Sequence, residues 1–198
     1  MARGADAVLS SCTVDESIIR AVRRSEASRR GLVMAGAHMS SFNLLLLTFA
    51  LKGFPVQALM YPRPRASYRL ENRIRRKFGL DVTLVSITGL WKAVRRLSKG
   101  EIVLTAADRP DKSGEELIFF GRKVYFPIGH ARLALRTKSN IMVVVCKSDG
   151  PGHYKGVSSP VIEPESTGDE YHDAVNLAQQ VLAELENYIR SRPDEWLM

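Results

Sequence analysis

Several short apolar runs constrain this chain more than any other feature. They are Leu32-Val33-Met34-Ala35-Gly36-Ala37, residues 56–60, residues 102–107 and residues 141–147. Each is too short for a typical helix and is bounded by turn residues, which reads as a buried strand. Between them lie segments with helical spacing. Val14, Ile18, Ile19 and Val22 stand among charges over residues 14–28, and an apolar stretch runs to Lys52 with Ser40 and Ser41 placed as N-caps. Gly53 and Pro55 stop that helix. Over residues 69–78, Leu70, Ile74 and Phe78 fall at i, i+4 and i+8, with Arg69, Arg73, Arg76 and Lys77 on other faces. This spacing predicts an amphipathic helix with a basic exterior.

A strand is expected at 82–87, then a helix at 89–99 with Leu90, Val94 and Leu97 inward and Gly100 as its stop. Residues 117–120 and 123–126 flank Gly121-Arg122 as a hairpin. A short helix at 129–136, a strand near 157–162 and a long helix from Asp169 to about Arg192, ended by Pro193, complete the pattern. Strands alternating with helices define the α/β class. The expectation is one domain over residues 1–198, a sandwich with a largely parallel sheet, one hairpin and helices on both faces.

Lys and Arg total 29 against 21 for Asp and Glu, a formal net charge of +8, which favours negatively charged partners without choosing among them. The longest apolar run, residues 44–51, falls far short of the roughly 20 residues that span a bilayer, and the start lacks the apolar stretch of a secretory signal. Membrane contact is therefore expected to be peripheral, or made by a segment outside this chain. Cys12 and Cys146 are the only cysteines. They read as two reduced thiols in a cytoplasmic setting, not as a bridge or a metal site. His153 and His172 lack metal-like spacing with cysteines or acids, so no metal is expected.

In open α/β sheets ligands bind outside the carboxyl ends of the strands. Two strand ends carry chemistry: Gly36-Ala37-His38-Met39-Ser40-Ser41-Phe42-Asn43 and Ala106-Ala107-Asp108-Arg109-Pro110. A histidine at a strand end is the natural general base near neutral pH, so His38 is a catalytic candidate; the plainer alternative is a polar loop histidine. From Arg63 to Lys77, seven basic residues stand against the single acid Glu71. That stripe is either a solvated helix face or a holder of phosphates, an acidic carrier protein or anionic head groups.

With these residues assembled, the chain resembles the lysophospholipid acyltransferase superfamily. Gly36-Ala37-His38, with a polar residue five positions after the histidine, is similar to its His-x4-acid motif. The order of later blocks resembles the lipid A lauroyl/myristoyl acyltransferases and the phosphatidylinositol mannoside acyltransferases. Those blocks are Arg75-Arg76-Lys77-Phe78-Gly79, residues 100–108, Phe119-Phe120-Gly121, residues 127–134 and Pro193-Asp194-Glu195-Trp196.

The resemblance implies a glycerol-3-phosphate acyltransferase-like fold and an O-acyltransferase without a cofactor. A fatty acyl group would move from acyl-CoA or acyl-carrier protein to a hydroxyl of a membrane glycolipid, lipid A included, or of a lysolipid. His38 would be the base, Asn43 would occupy the acid's position, and Asp108 would match the strand-end aspartate. Arg75, Ser40, Ser41 and Arg109 would hold substrate. The resemblance also implies a cytoplasmic location, peripheral on an anionic inner-membrane surface, with the family's N-terminal anchoring segment absent from residues 1–198. Asn43 departs from the motif because an amide lacks the charge that stabilises imidazolium; in the serine-protease triad the comparable change costs about 10⁴ in kcat. An inactivated copy that binds lipid or acyl donor, a substitution that traps substrate, and a site completed by Asp108 all fit that departure. A nucleic-acid binder, suggested only by the pI of about 9.7 and the arginine-rich helix, ranks last, and no nucleic-acid partner is expected.

Overall fold

The computed structural model describes residues 2–61 and 66–198, with side chains from residue 4 onward. In chain order the elements are α1 (Ala2–Ser11), β1 (Cys12–Val14), α2 (Glu16–Ser28), β2 (Leu32–Gly36), α3 (Phe42–Leu51), β3 (Val56–Met60), α4 (Ala66–Lys77), β4 (Asp81–Leu84) and α5 (Ile87–Leu97). They continue with β5 (Ile102–Ala106), β6 (Glu115–Phe119), β7 (Arg122–Phe126), α6 (Gly129–Thr137), β8 (Asn140–Ser148), β9 (Tyr154–Ser158), α7 (Glu170–Ser191) and a short 3₁₀ turn, Pro193–Glu195.

Seven strands form one sheet in the order β1-β9-β8-β2-β5-β3-β4, and β6 and β7 form a separate hairpin. All neighbouring pairs in the large sheet are parallel except β8 with β9. This is the single-domain α/β sandwich expected from the alternation of strand and helix patterns. The apolar runs became strands because their side chains are covered from both sides. One face packs Val33, Ala35, Val103, Ile141 and Val143 against α5, α6 and α7. The other packs Leu32, Met34, Ile102, Met142 and Val144 against α2 and α3. Cys12 and Cys146 are buried in that second layer and unbridged.

Local chemistry explains several boundaries. Asp15 accepts a hydrogen bond from the Ser17 amide and starts α2. Ser86 caps α5 by accepting from the Gly89 amide, which ends the preceding strand at Leu84, three residues earlier than the sequence pattern implied. Asp169 caps α7 through the His172 amide. The hairpin turn is Phe120-Gly121, not Gly121-Arg122: both residues have positive φ, 51° and 73°, the backbone that a two-residue turn with matching twist demands. Ser41 sits at the N-cap of α3 but makes no side-chain cap bond there.

Two elements, α1 and β1, carry no clear sequence pattern and were not anticipated. A third is oriented otherwise than expected. In α4 the row Leu70 and Ile74 faces outward, at 58% and 42% exposure, while Asn72 and Arg75 are buried. Leu90 in α5 is likewise exposed, and Gly89, Ala93 and Leu97 face inward. Among the described residues no helix is long and apolar enough to cross a membrane.

Candidate active site

The parallel pairing of β2 with β5 sets Gly36 directly beside Ala106. Two residues beyond each of these partners lie His38 and Asp108, so the register alone brings the two loops together at the carboxyl end of the sheet. The Ala107 amide donates to the Gly36 carbonyl at 2.9 Å and ties the loops one residue short of the pair. His38 Nδ1 lies 2.8 Å from Asp108 Oδ1, and the His38 backbone amide donates to Asp108 Oδ2 at 2.7 Å.

Asp108 is fully buried. Burial opposes its ionisation, but the side chain, charge and backbone amide of His38, together with the Trp196 indole, outweigh it and hold the carboxyl below the ordinary carboxylate value. An ionised Asp108 accepting from Nδ1–H fixes the tautomer of His38 and leaves Nε2 with the lone pair. Among the described residues Nε2 has no hydrogen-bond partner, and it is not shut away from solvent. The ring is braced edge-on by Phe42, with centroids 5.1 Å apart. The arrangement can take a proton from a hydroxyl presented at Nε2 and stabilise the resulting imidazolium.

Asn43 does not join this pair. Its Oδ1 accepts from Arg75 Nε at 3.1 Å and also from Arg75 Nη2, and its Nδ2 donates to Glu71 Oε2 at 3.4 Å. Arg75, 2% exposed, also donates to Glu71 Oε2 at 2.9 Å and to Asn72 Oδ1 at 2.5 Å. Burial lowers the pKa of its guanidinium and Glu71 opposes that shift. Arg75, expected to hold substrate, thus directs its donors to protein groups and clamps α4 to the first turn of α3, just behind the His38 loop.

Ser40 has a positive φ of 44°, and its amide donates to the Glu195 carbonyl at 2.6 Å. Arg109 is exposed beside Asp108, with its guanidinium carbon 5.6 Å from the Tyr61 ring centroid. Of the basic stripe, Arg63 and Arg65 lie outside the described residues, while Arg69, Arg73, Arg76 and Lys77 are exposed.

Trp196, in the sequence only the end of a terminal block, reaches into the site. Its Nε1 donates to Asp108 Oδ2 at 3.0 Å, so that this oxygen holds two donors. The terminal residues lie antiparallel to the histidine loop: Met39 pairs with Trp196, and the Leu197 amide donates to the His38 carbonyl at 2.9 Å. Phe119 and Phe120 of the hairpin pack against the indole. The available signal was the terminal block ending in Trp196, which gave a residue of interest but not its partner. His130, at the start of α6, is buried with Nε2 unpartnered, and desolvation lowers its pKa to about 4. Arg132, two residues on, pairs with Glu115.

A buried carboxylate orienting a strand-end histidine on a parallel sheet is equipment for moving a proton during group transfer. Over residues 16–198 the chain matches the bacterial lipid A biosynthesis acyltransferase family, and it belongs to that family. Membership makes it an acyltransferase acting on lipids. The crystal structure of the 1-acyl-sn-glycerophosphate (LPA) acyltransferase PlsC from Thermotoga maritima is similar, with a TM-score of 0.51 and 13% identity over 92% of this chain and 73% of that one. At that identity the likeness concerns the fold. A comparison with curated protein sequences finds no match.

Proposed function

We propose that the protein is an O-acyltransferase in which His38 is the general base, Asp108 orients it, and the acceptor is a hydroxyl of a membrane glycolipid or lysolipid. The donor is a thioester of coenzyme A or of an acyl-carrier protein, and the work is done at the cytoplasmic face of the inner membrane. The acceptor hydroxyl gives its proton to His38 Nε2 as its oxygen attacks the thioester carbonyl carbon. The tetrahedral intermediate collapses by breaking the C–S bond, and the leaving thiolate takes the proton back from Nε2. Asp108 remains ionised throughout and offsets the charge of the imidazolium.

The observation that carries this reading is the 2.8 Å contact between His38 Nδ1 and the buried Asp108 carboxylate. It supplies the negative partner that position 43 lacks. Radiolabelled acyl-CoA or acyl-carrier protein, incubated with the protein and a bacterial lipid extract, is expected to yield a labelled lipid on thin-layer chromatography. His38→Ala should reduce its formation by at least about 10³-fold. Product made equally well by His38→Ala would sink the assignment of the base.

The second reading, a lipid- or acyl-donor-binding relative without turnover, rests on Asn43. It requires that wild type be inactive with both donors and that Asn43→Asp create activity. The contacts of Asn43 with Arg75 and Glu71 favour the first reading, because a carboxylate introduced there would meet Arg75 and not the imidazole.

A further inference from the structure

Resting on His38 as the base of the proposed reaction, we infer that Glu195 is a positioning residue for it. Its buried carboxylate ties the 195–197 segment to the end of β8, and that segment in turn holds the histidine loop and Asp108 in place.

A mismatch of strand lengths creates the tie. Gly36, the last residue of β2, sits beside Val144, whereas β8 runs on to Ser148. The Ser148 amide therefore lies beyond the end of β2, and it donates to Glu195 Oε2 at 3.0 Å. Through its backbone the same segment meets the chain that leaves β2. The Ser40 amide donates to the Glu195 carbonyl at 2.6 Å, Met39 pairs antiparallel with Trp196, and the Leu197 amide donates to the His38 carbonyl at 2.9 Å. From this segment Trp196 also reaches Asp108 Oδ2. Residues 195–197 thus bridge the overhanging end of β8 and the histidine loop, and the Glu195 carboxylate is the anchor on the β8 side.

Two features set this anchor apart from packing. Glu195 is only 9% exposed. Burying a carboxylate is costly, and an apolar side chain of similar size would fill the same space without that cost. Its Oε1 stands 3.5 Å from Nη1 of the exposed Arg192, so the short contact that its charge strengthens is the one from the Ser148 amide. The second feature is Ser40, whose φ of 44° is left-handed. A residue with a Cβ keeps that conformation only where its surroundings enforce it. Here the Glu195 carbonyl receives the Ser40 amide, two residues after His38. Without the tie to Ser148, residues 195–197 are free to shift, and Ser40, His38 and Asp108 each stand to lose a hydrogen bond.

Glu195→Met keeps the bulk and removes the acceptor, whereas Glu195→Gln retains an amide oxygen that accepts from Ser148. Glu195→Leu takes the place of Glu195→Met if the latter does not unfold cooperatively in urea. Proton–nitrogen NMR of the imidazole reads the effect on the base without turnover. The Nδ1–H resonance of His38, assigned by its absence from His38→Ala, is expected far downfield in wild type and in Glu195→Gln. In Glu195→Met it should broaden or move upfield. Because no acyl transfer is needed, a wild type that makes no product counts against the acyltransferase reading, while the resonance alone decides the role of Glu195. In transfer assays Glu195→Met should lower kcat roughly tenfold or more with KM little changed, and Glu195→Gln should stay close to wild type. Since Glu195 acts through Trp196 and Asp108, adding Trp196→Phe to Glu195→Met should cost no more than a few-fold beyond the slower single variant. An unchanged His38 resonance in Glu195→Met, equal damage in Glu195→Gln, or fully additive losses in the double variant would overturn the proposal.

Discussion

Asp108 commits both carboxylate oxygens to the site: Oδ1 to the imidazole, Oδ2 to the His38 amide and the Trp196 indole. A hydrogen bond to a buried charged group contributes roughly 1.5–3 kcal/mol, so Trp196 matters to the histidine through the aspartate. Trp196→Phe keeps a ring against Phe119 and Phe120 but removes the donor. The expected result is a drop in kcat of roughly tenfold to a hundredfold with KM little changed. The acid limb of the kcat/KM profile should also move to higher pH, because Asp108 loses one of the donors that hold its carboxyl down. A variant with wild-type kcat and an unshifted profile would reduce Trp196 to packing.

At the scale of elements, helix α4 shows where periodicity misleads. The row Leu70, Ile74 and Phe78 has the spacing of a buried stripe, yet the helix turns Asn72 and Arg75 to the interior, where Asn43 and Glu71 complete a polar cluster. Hydrophobic spacing describes one helix, whereas its rotation is decided by the neighbour it meets, here the polar first turn of α3. Arg75→Met would leave the oxygens of half-buried Asn43 and buried Asn72 without these donors and Glu71 without its ion pair. Urea unfolding should show a loss of about 3 kcal/mol, against roughly 0.5 kcal/mol or less for Arg73→Ala on the exposed face. Equal values for the two would mean that the cluster does not hold α4 in place. The same limit of sequence reading applies to α1 and β1, which acquire their states only from α3 and β9 beside them.

For the whole molecule, the class, the central strands and the long C-terminal helix were legible because each is written locally, in an apolar run or a cap. His38 and Asp108 were legible as separate strand-end residues. That they form a pair was not, since it depends on β2 and β5 being neighbours in register although about 70 residues separate them. Asn43 drew suspicion for the converse reason: motif spacing placed it in the acid's position, while the first turn of α3 aims its amide at Arg75.

In the proposed mechanism position 108, not position 43, supplies the negative charge beside His38, and a side-by-side comparison of Asp108→Asn with Asn43→Asp in single-turnover acyl transfer tests this most directly. Both variants should first be shown to unfold cooperatively. Asp108→Asn is expected to slow transfer on the order of 10²- to 10⁴-fold, and Asn43→Asp to change it by no more than a few-fold. A large gain from Asn43→Asp, or full activity in Asp108→Asn, would contradict the account.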